Sequence, residues 1–369
     1  MSHQNLITIF RKFFILMTIK YPAFSLLFLG ICISIFACDG AGSKTTNSEK
    51  SEASKDSTAA ANIEVEEKKA ENPYAPVDSA KYWDLVKDLS NGDTTGLWPV
   101  LKQPVPSPGA ILPFKRVVVY YGNLYSKRMG ALGEYEPKEM WRRLNQEVKN
   151  WEKADPSTPV QAGIHYIAVV AQGDGGKDGK YRFRMPDKQI DSALTIAKMH
   201  NGIVFLDIQV ALSTIRDELP LLEKYLKLPH VHLGIDPEFS MKTGHKPGTK
   251  IGTFDAEDLN YCIKYLQNLV KENNLPAKIF VVHRFTKGMV TNYKNIKLVP
   301  EVQVVMHMDG WGEPELKKGT YRHWIREQPV HFTGFKLFYK NDLKKAPNRL
   351  MTPEELLKLK PKPIYIQYQ

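Results

Sequence analysis

Cysteine is scarce in this chain. Its 369 residues include three, Cys32, Cys38 and Cys262, too few and too scattered for a disulfide framework or a cysteine-based metal site. Acids are missing from the N-terminus, where Arg11, Lys12 and Lys20 are the charged side chains ahead of an apolar stretch, 21–37. Aromatic residues are missing from 40–72, which is rich in Ser, Thr, Ala, Glu and Lys. No Gly-rich turn follows an apolar run to open a helix, which removes the phosphate cradle of an open dinucleotide-binding sheet. Net charge is +11, yet the basic residues are scattered and form no nucleic-acid module, so no nucleic-acid partner is expected.

A basic start, an apolar run interrupted by Ser25 and Ser34, and a small residue before a cysteine describe a secretory signal. Ile35-Phe36-Ala37-Cys38 resembles a bacterial lipobox. The resemblance implies a lipoprotein precursor cut before Cys38, with lipid on that cysteine and a membrane as its partner. An uncleaved anchor is the alternative, but the run is at the short end of the roughly 17–25 residues a span needs. Either places the rest of the chain in the cell envelope, periplasmic or surface-exposed. The expected organisation is a signal peptide over 1–37, a lipidated cysteine and flexible linker over 38–72, and a folded domain with an N-terminal extension over 73–369. The linker cannot bury enough apolar surface to offset its chain entropy. Loss of Arg11, Lys12 and Lys20 leaves a charge of +8, a basic surface suited to anionic lipid or polysaccharide. Cys262, beside Ile263, reads as a small buried apolar residue. A monomer is expected.

The folded part alternates short apolar runs with amphipathic segments. Strands are expected at 116–121, 162–172, 202–209, 231–238, 278–284, 302–309, 333–339 and 363–368. Their near-continuous β-branched and aromatic content suits strands buried on both faces. Helices are expected at 137–153, 187–199, 214–226, 256–272, 286–296, 315–326 and 353–359, from apolar residues at helical spacing and from signals such as Asp255 at an N-cap. Eight strands, each followed by a helix or long connection, match an α/β fold of the (β/α)8 TIM-barrel type, preceded by the signal peptide and disordered tether. Residues 74–112 supply a helix to close the bottom or side.

In such a barrel, function sits at the strand C-terminal ends. Polar residues gather there: Tyr121 on the first strand, Gln172 on the second, Asp207 and Gln209 on the third, Asp236 and Glu238 on the fourth. His283 and Arg284 follow on the fifth, His307, Asp309 and Trp311 on and after the sixth, Lys336 and Tyr339 on the seventh, and Gln367 on the eighth. A carboxylate inside an apolar strand is costly unless paired or facing water. Asp207, Asp236, Glu238 and Asp309 are therefore candidate catalytic acids, although any one could simply cap backbone or pair with a base. On a strand, Asp236 and Glu238 share a face, and such closeness raises one pKa, as a general acid requires.

Gly234-Ile235-Asp236-Pro237-Glu238 resembles the shortened acid motif of chitinase-type glycoside hydrolases, and Met306-His307-Met308-Asp309 is similar to their Met-x-Tyr-Asp element, with Met308 in place of Tyr. The resemblance implies Glu238 as acid and Asp236 as its helper. It lacks the motif's earlier Asp. The barrel region, from Val118-Val119-Tyr120-Tyr121-Gly122 through Asp309-Gly310, also resembles an uncharacterised group of bacterial exported proteins.

Three functions fit. The first is a glycoside hydrolase-like enzyme with Glu238 as acid, Asp236, Asp207 or Asp309 as second carboxylate, and Trp311, Tyr121, Tyr125 and Tyr339 stacking on a polysaccharide or other glycan. Gln172, Gln209, His283, Arg284, His307, Lys336 and Gln367 complete the expected glycan contacts, and no cofactor or metal is needed. The second is a metal-dependent hydrolase, a phosphodiesterase or deacetylase, using Asp207, Asp236, His283, His307 and Asp309, although no His-x-His stands at a strand end. His230 and His232 have that spacing at the wrong end of the fourth strand. The third is a glycan-binding lipoprotein without chemistry.

Overall fold

The computed structural model describes residues 73–369; the expected signal peptide over 1–37, lipidated Cys38 and linker to residue 72 lie outside the described residues. The apolar runs form, in chain order, β1 (Arg116–Gly122), β2 (Val160–Ala171), β3 (Arg182–Arg184), β4 (Ile203–Ile208), β5 (Val231–Ile235), β6 (Phe254–Asp255), β7 (Lys278–Arg284), β8 (Val290–Thr291), β9 (Val302–Met308), β10 (Phe332–Leu337) and β11 (Tyr365–Tyr368). Strands β1, β2, β4, β5, β7, β9, β10 and β11 pair side by side in that order, and β11 returns to β1. All eight are parallel, so they close a (β/α)8 TIM barrel. Strand β3 is antiparallel to the end of β2, and β6 pairs with β8 outside the barrel.

Two apolar cores follow from the period-2 alternation of the strands. Outward-facing Val118, Tyr120, Val204 and Leu206 pack with Met140, Trp141, Leu144 and Trp151, the apolar stripe of helix Pro137–Ala154. Inward-facing Val117, Ile203, Ile279 and Val305 pack with Tyr82 and Val86. Those two belong to helix Ser79–Ser90, whose N-cap Asp78 accepts the Lys81 N–H at 3.0 Å. Asn91 ends it in the left-handed region (φ 53°), and its side-chain amide donates to the carbonyls of Leu357 and Leu359 at 3.0 and 2.9 Å. This helix is the plug expected from 74–112, and it fills the bottom of the barrel.

Three expected elements differ. β5 stops at Ile235 rather than 238, because Pro237 has no N–H to continue a ladder. Asp236 instead caps a 3-10 turn, Pro237–Phe239, accepting the Glu238 N–H at 3.0 Å. Asp236 and Glu238 therefore do not share a strand face. Residues 286–296 form two 3-10 turns flanking β8 rather than a helix; β-branched Val290 and Thr291 pair with β6, and Asn292 turns left-handed at φ 54°. The helix expected over 214–226 is broken into two short α segments around a 3-10 turn that contains Pro220. No helix among the described residues is long and apolar enough to cross a membrane.

Candidate functional site

The register of the barrel decides which polar side chains meet. Tyr121 lies opposite His165, Asp207 opposite Gly234, His283 opposite His307, and Lys336 opposite Gln367. All point inward, above the apolar floor. Glycines make the room. A Cβ at Gly234 would stand 2.3 Å from the His165 Nε2 and 2.5 Å from the Asp207 Oδ1, and one at Gly334 would stand 2.5 Å from the His307 Nδ1. Any larger residue there collides with the imidazoles.

Asp207 is the hub. Its Oδ2 accepts the Tyr121 hydroxyl at 3.0 Å, and its Oδ1 lies 3.2 Å from the His165 Nε2 and 3.6 Å from the His283 Nε2. On its other nitrogen, Nδ1, His283 meets the Asp309 Oδ2 at 2.7 Å, and the Lys336 ammonium stands 2.8 Å from the Asp309 Oδ1. The same ammonium sits 3.9 Å over the Tyr121 ring. Gln209 links the parts: its carbonyl accepts the Ala171 N–H at 3.0 Å, and its amide approaches the Tyr121 hydroxyl at 3.3 Å and Asp236 at 3.4 Å. His165, Asp207, His283 and His307 are wholly buried, while Glu238 is partly exposed.

Charge is divided unevenly among the four acids. Burial pushes Asp309 up, but Lys336 and His283 outweigh it and hold the carboxyl far below the usual range. Asp207 is likewise lowered, burial being overcome by His283, His165 and Tyr121. Burial, aided by the charges of Asp309 and Asp207, moves Asp236 up to about 7. Burial, then Asp236 and Asp309, raise Glu238 well above the carboxylate range. Among the imidazoles, burial takes His165 down to about 4 and holds His307 well below its ordinary range. His283 rises, because Asp207 and Asp309 outweigh its burial.

Three expected ligand contacts, Arg284, Tyr339 and Gln172, are placed elsewhere, and a fourth, Gln367, is spent on a neighbour. Arg284, one residue after inward His283, faces outward; its guanidinium donates to the carbonyls of Thr286, Lys287 and Val290 and to Gln328. Tyr339 lies on the outer face, its hydroxyl bonded to Glu147 at 2.7 Å and Tyr120 at 2.9 Å and its ring stacked on Tyr368. Gln172 belongs to the β2–β3 hairpin, its N–H bonded to the Tyr181 carbonyl at 2.9 Å. Gln367 is inward but fully buried, its amide 3.1 Å from the His165 Nδ1, so it orients an imidazole rather than a ligand. Trp311 is half-buried, with Lys344 5.4 Å from its ring, and Tyr125 is exposed. His232 is at the barrel floor, its Nδ1 accepting the Ile279 N–H at 3.1 Å.

The sequence reasoning missed His165 and Tyr365. The Tyr365 hydroxyl is 2.5 Å from the His165 Nδ1. Two signals were present: His165 interrupts an otherwise apolar strand, and Tyr365 stands two residues before inward Gln367. No protein-family model and no curated protein sequence matches the chain.

Proposed function

We propose that this barrel is a carbohydrate-active hydrolase, anchored in the cell envelope by lipid on Cys38, with Glu238 as general acid and Asp309 as the charged carboxylate. The observation that carries the reading is the opposite tuning of acids within one mouth. Burial of the carboxyl and the neighbouring carboxylates favour the protonated form of Glu238, while Lys336 and His283 favour the ionised form of Asp309. Environments that push carboxyl pKa values apart separate an acid from its partner. In the proposed reaction the Glu238 proton passes to the glycosidic oxygen as its bond to the sugar breaks. Asp309 stabilises the positive charge developing on the sugar, water supplies the new hydroxyl, and the water's proton restores Glu238. Asp236, raised to about 7, fixes the turn that presents Glu238. Tyr121 and Gln209 orient the polar groups around it, and half-buried Trp311 offers an aromatic face at the rim.

The test is reducing-end release from a panel of polysaccharides by the full chain and by Glu238→Gln. Loss of a general acid lowers kcat by about 10²–10⁴-fold. Unchanged hydrolysis of every cleaved glycan by the variant refutes the assignment. Tight glycan binding without product supports a binding protein in place of an enzyme.

A further inference from the structure

Beneath the acids lies a second arrangement that the proposed proton transfer does not use. His165, Asp207 and His283 come from three different strands, and each can offer a ligand atom within 4.8 Å of those of the other two; Asp207 Oδ1 faces both His165 Nε2 and His283 Nε2. Each atom is buried, and none has a hydrogen-bond partner within the protein. An unpartnered buried polar atom loses its hydration without compensation, so three facing one point need an occupant.

We propose that His165, Asp207 and His283 bind a divalent first-row transition metal ion, zinc being the best match. Ligands about 2.0–2.1 Å from a tetrahedral ion lie about 3.3 Å apart. The two Asp207 Oδ1 separations, 3.2 and 3.6 Å, bracket that spacing. Two imidazoles and one carboxylate are zinc-type ligands, and three protein ligands leave a fourth position open.

The surroundings supply the expected support. A ligating histidine usually places its other ring nitrogen on a fixed partner, often a carboxylate. His283 sets Nδ1 against the Asp309 Oδ2 at 2.7 Å. His165 sets Nδ1 against the Tyr365 hydroxyl at 2.5 Å and the Gln367 amide at 3.1 Å, so Nε2 is the ring nitrogen that faces the common point. The side chains gathered here also suit a cation, since two carboxylates, Asp207 and Asp309, stand around His283 and only one ammonium, that of Lys336, is beside them. A proton on His283 is the rival occupant, but it leaves His165 Nε2 and Asp207 Oδ1 3.2 Å apart without an aligned bond. The site draws on residues other than Glu238, so it stands whether or not the barrel cleaves glycans.

The test is titration of the chelator-treated full chain with Co2+, read by visible absorption, followed by displacement with Zn2+. One equivalent should bind with the intense ligand-field bands of a low-coordinate site and be released by Zn2+. His165→Ala should abolish those bands. Tyr365→Phe keeps the ring and removes only the hydroxyl, and it should weaken Co2+ binding about 10–100-fold. Circular dichroism of each protein separates lost binding from lost folding. No uptake by the folded full chain overturns the proposal in favour of the protonated imidazole. Uptake that survives in both folded variants overturns it in favour of a site elsewhere.

Discussion

Gly234→Ala adds one methyl group at the most crowded point of the barrel. The new carbon would stand 2.3 Å from the His165 Nε2 and 2.5 Å from the Asp207 Oδ1, against roughly 3.5–4.0 Å for a comfortable contact. Neither neighbour is free to retreat. His165 is held by Tyr365 and Gln367, and Asp207 by Tyr121. Overpacking costs about 1–3 kcal/mol, and breaking one buried hydrogen bond about 1–3 kcal/mol more. The reduced entropy of the unfolded chain returns only about 0.4–1 kcal/mol. The expected net loss is about 1–6 kcal/mol. Gly319→Ala is the control, because Gly319 lies in helix Pro314–Tyr321 with nothing within 4 Å of its added carbon. It should be neutral or stabilising by up to about 1 kcal/mol. Urea unfolding followed by circular dichroism compares the two. A Gly234→Ala protein as stable as wild type would show that the imidazoles and Asp207 are not packed as described.

Other outcomes follow from the same geometry. His331 is buried beneath the barrel as a neutral acceptor for the Val304 N–H, and burial lowers its pKa to about 3. Its stabilising contribution is therefore full above pH 6.5 and is lost as pH falls from there toward 3, an upper limit of about 4–5 kcal/mol. His331→Asn should flatten the fall in urea stability between pH 7 and 4, and an unchanged slope would place the acid sensitivity elsewhere. Arg284→Ala should cost about 1–3 kcal/mol and speed amide exchange across 285–291; an effect confined to glycan affinity would put the guanidinium at the mouth after all. Tyr339→Phe should lose about 1 kcal/mol and leave glycan hydrolysis unchanged, whereas a large rise in KM would restore its role as a sugar platform.

The barrel was legible because hydrophobic content and strand spacing are local properties. Its eight strands were recovered even where their ends moved. The centre was less legible because facing depends on parity and register, which require the partner strand. Arg284 and His283 look alike as neighbours at a strand end, yet only His283 turns inward. Tyr339 lies beyond the end of β10, where strand alternation no longer assigns its face. Pro237 was the overlooked signal in the fourth strand, since a missing N–H ends the ladder and turns Asp236 into a cap. His165 lies in the middle of β2, away from the strand ends where function is expected, so its position alone carries no signal.

Pairing of β11 with β1 brings Tyr365 beside Val117, so the ring is shut by its last strand against its first. Contacts that distant in sequence form slowly, because the intervening chain must be ordered before they return any stability. Until Tyr365–Tyr368 arrive, β1 and β10 both keep an open edge. The polar cluster shares that delay, because Tyr365 and Gln367, which hold the His165 imidazole, both arrive with β11.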